Sequence, residues 1–211
     1  ILLDNEFLER KKKVEANKEY YLEKFEIKEK YDLIGSIFSY EKNFDSLIEE
    51  LKKMDKKIIL LILSEKTQKN FIKYFDNGNN YDKIKFVKLP FFTYDKYEEL
   101  LALCDFNLVR GEDSFVRALL LGKPFLWHIY PQDENTHIKK LESFLEKYCS
   151  NNKELKQTFI NYNINKDDFS YFFKNFKEIE KYNKNYASYL IKNCNLMEKL
   201  INFIENIGGK N

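Results

Sequence analysis

Apolar and polar positions fall into blocks along this chain, and the period changes from block to block. Residues 31–40 (YDLIGSIFSY) form a near-continuous apolar run that predicts a buried strand. Residues 44–54 place Phe44, Leu47, Ile48 and Leu51 on one face of a helix. Residues 57–63 (KIILLIL) are apolar between charges, as expected of a central parallel strand. Ser64 then caps a helix over 65–75, and residues 76–80 (DNGNN) form a loop. A third strand runs over 84–89 and ends at Pro90. Asp95 caps a helix over 95–104, and a fourth strand covers 106–109. A short helix over 114–121, started by Ser114, closes on Gly122 with Pro124 just beyond. A fifth strand covers 125–130 and a helix 135–148.

Strands and helices thus alternate five times. That alternation implies right-handed βαβ crossovers and a parallel sheet covered on both faces, a Rossmann-like α/β fold. Residues 6–25 are charged and helical in period, as in a surface or interlobe helix. Beyond residue 150 no strand is expected. The Asn- and Lys-rich segment 150–170 reads as loop and short helices, and 174–207 as one or two long closing helices. The expected organisation is an entry or interlobe helix over 1–28, a Rossmann-like domain over 29–175 and closing helices over 176–211.

Composition removes several classes of function. With 211 residues, 44% of them hydrophobic, the chain can bury a core, and it has no apolar run near the roughly 18 residues a membrane span needs. Lysines are interleaved with glutamates and the net charge is only +2, so the basic residues form solvated helix faces and not a nucleic-acid stripe. Cys104, Cys149 and Cys194 are far apart without a CxxC, as in a reduced cytoplasmic protein. Two histidines, no HExxH and no DxD give no support to a metal site. The chain begins at Ile1 and reads as a piece of something longer.

The candidate chemistry sits at the strand ends. The tract FNLVRGEDSFVRALLLGKPFLWHIYPQ, residues 106–132, puts Arg110, Gly111, Glu112, Asp113 and Ser114 between a strand and a helix. Ligands of open α/β sheets bind there, where helix N–H groups and the helix dipole meet an anion. Gly111 lets a phosphate approach the backbone. Arg110 can hold phosphate oxygens with two parallel donors, and Ser114 can cap the helix or donate to phosphate. Taken alone, the turn is equally an ordinary strand–helix turn with an Arg110–Glu112 surface pair. Phe38, Ser39 and Tyr40 end the first strand and residues 89–94 the third, on the same sheet edge. Their aromatics suit stacking on a flat base or clamping a sugar, or belong to the core. Position favours a site role for Tyr40 and Phe91, while Phe92 stands equally for core. Tyr130 and Gln132 lie near the mouth. Trp127 and His128 point to opposite faces, and no carboxylate is placed to make His128 a base. His137 reads as a surface or supporting residue.

The runs 105–118 (DFNLVRGEDSFVRA), 122–125 (GKPF) and 127–132 (WHIYPQ) closely resemble the protein-arginine rhamnosyltransferases that modify bacterial elongation factor P, with weaker likeness at 37–41 and 89–91. That resemblance implies a GT-B glycosyltransferase whose C-terminal, donor-binding lobe is this chain. The implied donor is TDP-β-L-rhamnose, the acceptor an arginine of elongation factor P, and no metal or other cofactor is called for. By position, Phe91 stacks on thymine with Phe38 nearby and Tyr40 contacts the donor. Arg110, Gly111, Asp113 and Ser114 hold the diphosphate, and Glu112 matches a carboxylate important for activity. The family usually carries glutamine where this chain has Tyr94, which bears on base selectivity. The competing readings are a GT-B enzyme with another sugar or acceptor, a non-catalytic α/β binding module, and a flavodoxin-like regulatory domain. The last lacks its acidic cluster.

Overall fold

The computed structural model describes residues 5–76, 81 and 83–208. The helix expected over 6–25 is two, α1 (Asn5–Ala16) and α2 (Lys18–Lys24). They part at Asn17, whose side-chain amide donates to the Lys13 carbonyl at 3.2 Å. A short amide competes with the helical ladder for backbone groups.

β1 (Leu33–Ile37) is buried at every position, and α3 (Asp45–Lys52) turns Leu47, Ile48 and Leu51 inward as their spacing predicts. β2 (Ile58–Ile62) is also buried throughout. The helix expected over 65–75 divides into α4 (Glu65–Lys69) and α5 (Ile72–Asp76). Ser64 caps α4 as expected, accepting from the Thr67 N–H at 3.3 Å. Of the loop expected over 76–80, residue 76 ends α5 and the rest lies outside the described residues.

β3 (Ile84–Lys88) precedes α6 (Tyr94–Leu103). Thr93, not Asp95, stands at the N-cap of α6, with no side-chain cap bond. Asp95 lies inside the first turn, 3.5 Å from Arg10 of α1. β4 (Phe106–Arg110), α7 (Glu112–Leu121) and β5 (Phe125–His128) follow, then a 3₁₀ turn at Asp133–Asn135 and α8 (Thr136–Tyr148). Gly122 closes α7 in the left-handed conformation, as expected.

Segment 150–170 holds more than short helices. α9 (Lys153–Asn163) is capped by Asn152 and buries Leu155, Thr158, Phe159 and Tyr162 along one stripe. Asn163 at its end clips the outer strand, its Oδ1 accepting from Ile129 N–H and its Nδ2 donating to the Trp127 carbonyl, both at 2.9 Å. α10 (Ser170–Lys174), α11 (Phe176–Asn193) and α12 (Leu196–Gly208) complete the chain. α11 packs on α7, where buried Asn183 donates to the Lys123 carbonyl at 2.7 Å.

The sheet has five parallel strands in the order β3-β2-β1-β4-β5. The chain winds outward from β1 to β3, then crosses back to lay β4 on the other side of β1. The seam between β1 and β4 is therefore the topological switch point, where the loops leaving the carboxyl ends diverge and open a crevice. The structure confirms the Rossmann-like α/β class read from the alternating blocks.

Candidate functional site

Two strand ends meet at that seam. β4 delivers Arg110, and the loop leaving β1 delivers Phe38, Ser39 and Tyr40 directly across from it. The Arg110 guanidinium lies 4.3 Å from the Phe38 ring centre and 4.9 Å from that of Tyr40. Its Nη1 donates to the Ser39 carbonyl at 3.3 Å. Among the described residues no carboxylate lies within ion-pair distance of it. Burial lowers its pKa from the ordinary arginine value, yet a guanidinium stays charged in proteins. A half-buried positive charge held by rings and one carbonyl is poised for an anion.

Ser39 is fully buried and held from both sides. The Thr67 hydroxyl accepts from Ser39 N–H at 3.0 Å and donates to the Ser39 carbonyl at 2.9 Å. Ser39 Oγ lies 2.7 Å from His128 Nδ1. Asn70 fixes the next residue, donating to the Tyr40 carbonyl at 3.1 Å. The loop carrying Arg110's two rings is thus bolted to α4 and β5. Thr67, Asn70 and the Ser39–His128 pair were not singled out from sequence as supports, since each contact joins residues far apart in the chain.

Among the described residues no carboxylate pairs with His128. Burial first, then the charges of Lys42 and Arg110, push its pKa down to about 3. It stays neutral and serves as scaffold, its ring 5.3 Å from Tyr40 and 5.5 Å from Tyr162. Trp127 faces the other way and stacks on Phe115 of α7 at 4.1 Å. His137, expected as a surface or supporting residue, is buried, and its Nδ1 accepts from Gln132 N–H at 3.1 Å. It sets the loop in which Gln132 is exposed and Tyr130 leans edge-on against Tyr40 at 5.4 Å. The rings of Tyr130 and Tyr40 and the guanidinium of Arg110 form one row.

The turn itself differs from expectation in its first residues. Helix α7 begins at Glu112, two residues earlier than Ser114, with Gly111 as N-cap at φ 70°, ψ 177°. That conformation is open essentially to glycine alone. The acidic pair Glu112 and Asp113 fits the positive end of the helix dipole, which explains the earlier start. Ser114 is therefore a buried first-turn residue and not the cap. Glu112 pairs with Lys140 at 2.6 Å rather than with Arg110. The ordinary Arg110–Glu112 surface pair does not form.

Beside the seam lies an aromatic cavity of about 320 Å³, lined by Phe38, Phe91, Phe92, Tyr94, Tyr97, Asp113, Ser114 and Arg117 among others. Phe91 is 94% exposed at its rim. Phe92 is half-buried and meets Phe25 edge-on. Tyr94 lies under the Arg117 guanidinium, 3.9 Å from its ring centre. Arg117 is itself held by Glu98, whose buried carboxylate accepts from Arg117 Nε at 2.6 Å and from Arg10 Nε at 2.7 Å. A glutamate in a charged helix reads as surface, so this buried clamp was not legible in the sequence. All the expected site residues thus lie along one sheet edge. Among the described residues no three His, Cys, Asp or Glu side chains cluster closely enough to hold a metal, and no helix is long and apolar enough to cross a membrane.

The family model described as Elongation-Factor P (EF-P) rhamnosyltransferase EarP matches residues 1–205. A protein-arginine rhamnosyltransferase of Pseudomonas aeruginosa is 58% identical over 69 residues, 33% of this chain and 18% of that protein. One from Neisseria meningitidis serogroup B is 56% identical over 64 residues, 30% of this chain and 17% of its own. One from Pseudomonas putida is 63% identical over 60 residues, 28% of this chain and 16% of that protein. The match therefore spans under a fifth of each of these relatives. A solved structure from work on the structural basis for EarP-mediated arginine glycosylation of translation elongation factor EF-P superposes with a TM-score of 0.77 at 24% identity. That superposition covers 98% of this chain and 72% of the other, and it shows a shared fold.

Proposed function

The chain belongs to this family of elongation factor P rhamnosyltransferases, and from that premise we propose that it is the donor-binding lobe of a cytoplasmic, inverting GT-B enzyme. The donor is TDP-β-L-rhamnose and the acceptor an arginine side chain of elongation factor P. The observation that carries the reading is Arg110: a half-buried guanidinium without a carboxylate partner among the described residues, at the switch point and beside the start of α7.

In the reaction an acceptor guanidine nitrogen attacks the anomeric carbon, forming the N–C bond as the bond from that carbon to the diphosphate oxygen breaks. The electron pair leaves with TDP, so negative charge grows on the diphosphate. Arg110 and the free N–H groups of the first turn of α7 stand ready for that charge, which is how a preorganised site lowers a barrier. The reading calls for no metal. Tyr40, Tyr130 and Phe38 border the sugar and Phe91 offers its exposed face to the thymine. Glu112 and Asp113 lie at the rim, where a carboxylate can orient the donor or the guanidine, and Gln132 is a further candidate for the sugar's surroundings. A protonated guanidine is a poor nucleophile, and carboxylates must localise or take its proton.

The test is calorimetric titration with TDP-rhamnose, TDP, UDP-glucose and GDP-mannose. Selective binding of the TDP ligands, strongly weakened in Arg110→Ala, is the expected result. Equal binding of all nucleotide sugars would point to a GT-B enzyme of another specificity, and no binding by folded protein to a simple interaction module. The chain by itself is expected to bind donor and to transfer no rhamnose to elongation factor P, and transfer by the isolated chain would overturn that part.

A further inference from the structure

Ser64, at the carboxyl end of β2, holds a backbone shape that its side chain resists. Its φ of 62° and ψ of 145° lie close to the region open essentially to glycine alone. Glu26, Glu134 and Asn165 also have positive φ, but of these four only Ser64 lines the aromatic cavity beside the seam. A glycine would sit there without strain, so a serine at this point needs a reason.

The hydroxyl supplies one. Ser64 Oγ accepts from the Thr67 N–H at 3.3 Å and lies 3.0 Å from Thr67 Oγ1. Thr67 spends its own hydroxyl proton on the Ser39 carbonyl at 2.9 Å, so Ser64 is the donor between the two hydroxyls. The same Ser39 carbonyl accepts from Arg110 Nη1 at 3.3 Å. A chain of hydrogen bonds therefore runs from Ser64 through Thr67 and Ser39 to the guanidinium. Ser64 grips Thr67 at both its N–H and its hydroxyl, which leaves that side chain little freedom to turn away from Ser39.

We propose that Ser64 is a positioning residue: its hydroxyl, set by a strained backbone, holds in place the Ser39 carbonyl that aims Arg110 at a bound diphosphate. The proposal rests on the nucleotide-sugar reading of the seam. It extends that site to β2, whose end contributes no side chain to the row of Tyr130, Tyr40 and Arg110. Strain is tolerated at the end of β2 so that one cation stays in line.

The test sets Ser64→Gly beside Ser64→Ala, with TDP affinity measured calorimetrically and the thermal midpoint recorded for each. Both variants lose the hydroxyl, but only glycine also relieves the strain. Both should bind TDP about fivefold more weakly, the worth of one hydrogen bond in the chain that aims Arg110. Their midpoints should part. Alanine keeps the strain and loses the cap, so its midpoint should fall by about 2–4 °C. Glycine costs little as a cap and fits the backbone, so its midpoint should stay level or rise. A purely structural serine would make affinity follow the midpoint. TDP affinity within about twofold of the parent in either variant, or a midpoint that falls as far with glycine as with alanine, would overturn the assignment. An unsubstituted protein that binds no TDP would instead overturn the reading of the whole site, and this role with it.

Discussion

Arg110 and Arg117 belong to one tract, and each lies over tyrosine at the same sheet edge. Their electrostatic situations are opposite. Arg117 is neutralised by the buried carboxylate of Glu98, which it shares with Arg10. Among the described residues Arg110 meets rings and the Ser39 carbonyl. One charge is therefore committed to holding α1, α6 and α7 together, and the other is left for a ligand. A guanidinium's partners, more than its neighbourhood, separate support from recognition.

The sharpest way to break this contrast is Glu98→Ala. Removing the carboxylate leaves two part-buried guanidinium groups facing each other, and stability should fall by about 3 kcal/mol, measured by urea denaturation. If Arg117 is support, that loss appears without any ligand. Arg110→Ala should do the reverse. Nucleoside diphosphate affinity should fall by roughly 2–3 kcal/mol, about 30- to 150-fold, with denaturation almost unchanged. A large stability loss there would erase the distinction.

His128 tests the frame that holds Arg110. The buried neutral ring takes no proton until about pH 3, whereas the unfolded chain takes one below its ordinary value of about 6.5. The unfolded state thus binds more protons in that window, so stability falls as pH drops from about 6.5 towards 3. The loss from this group should reach about 2 kcal/mol between pH 7.5 and 5 and shrink in His128→Asn. Phe91→Ala is the mildest change. Being 94% exposed, Phe91 contributes little to the fold. Its loss should weaken TDP by about 1 kcal/mol in a titration, from base stacking alone, and leave the thermal midpoint in place.

The strands were legible because parallel strands buried on both faces are written as apolar runs, and β1, β2 and β4 are such runs. Helix ends were less so. Glu112 and Asp113 looked like turn residues, yet they complement the dipole and open α7 two residues before Ser114. The stripe of α9 was hidden by surrounding Asn and Lys. Arg110, Gly111, Tyr40 and Phe91 were legible because strand ends in this topology converge on one edge. Thr67, Glu98 and the burial of His137 were not, for a side chain's tertiary partners leave no local pattern. Asp95 and Asn17 misled because their short polar side chains compete for backbone groups in several ways.

The position of the seam also sets the order in which the molecule can assemble. β1 reaches β2 through a single short crossover, whereas Ser36 and its neighbour Asn107 are 71 residues apart. Closing the longer loop costs more entropy and comes later in synthesis, so β1, β2 and β3 can pair while β4 is still being made. Until then the edge of β1 is an open template for any extended chain. The groove at the seam exists only once that gap is closed. A nucleotide bound as proposed, spanning Tyr40 and Gly111, would then act as a clasp across that late-closing joint, and its imprint should be slower amide hydrogen exchange in β4 than the groove alone provides.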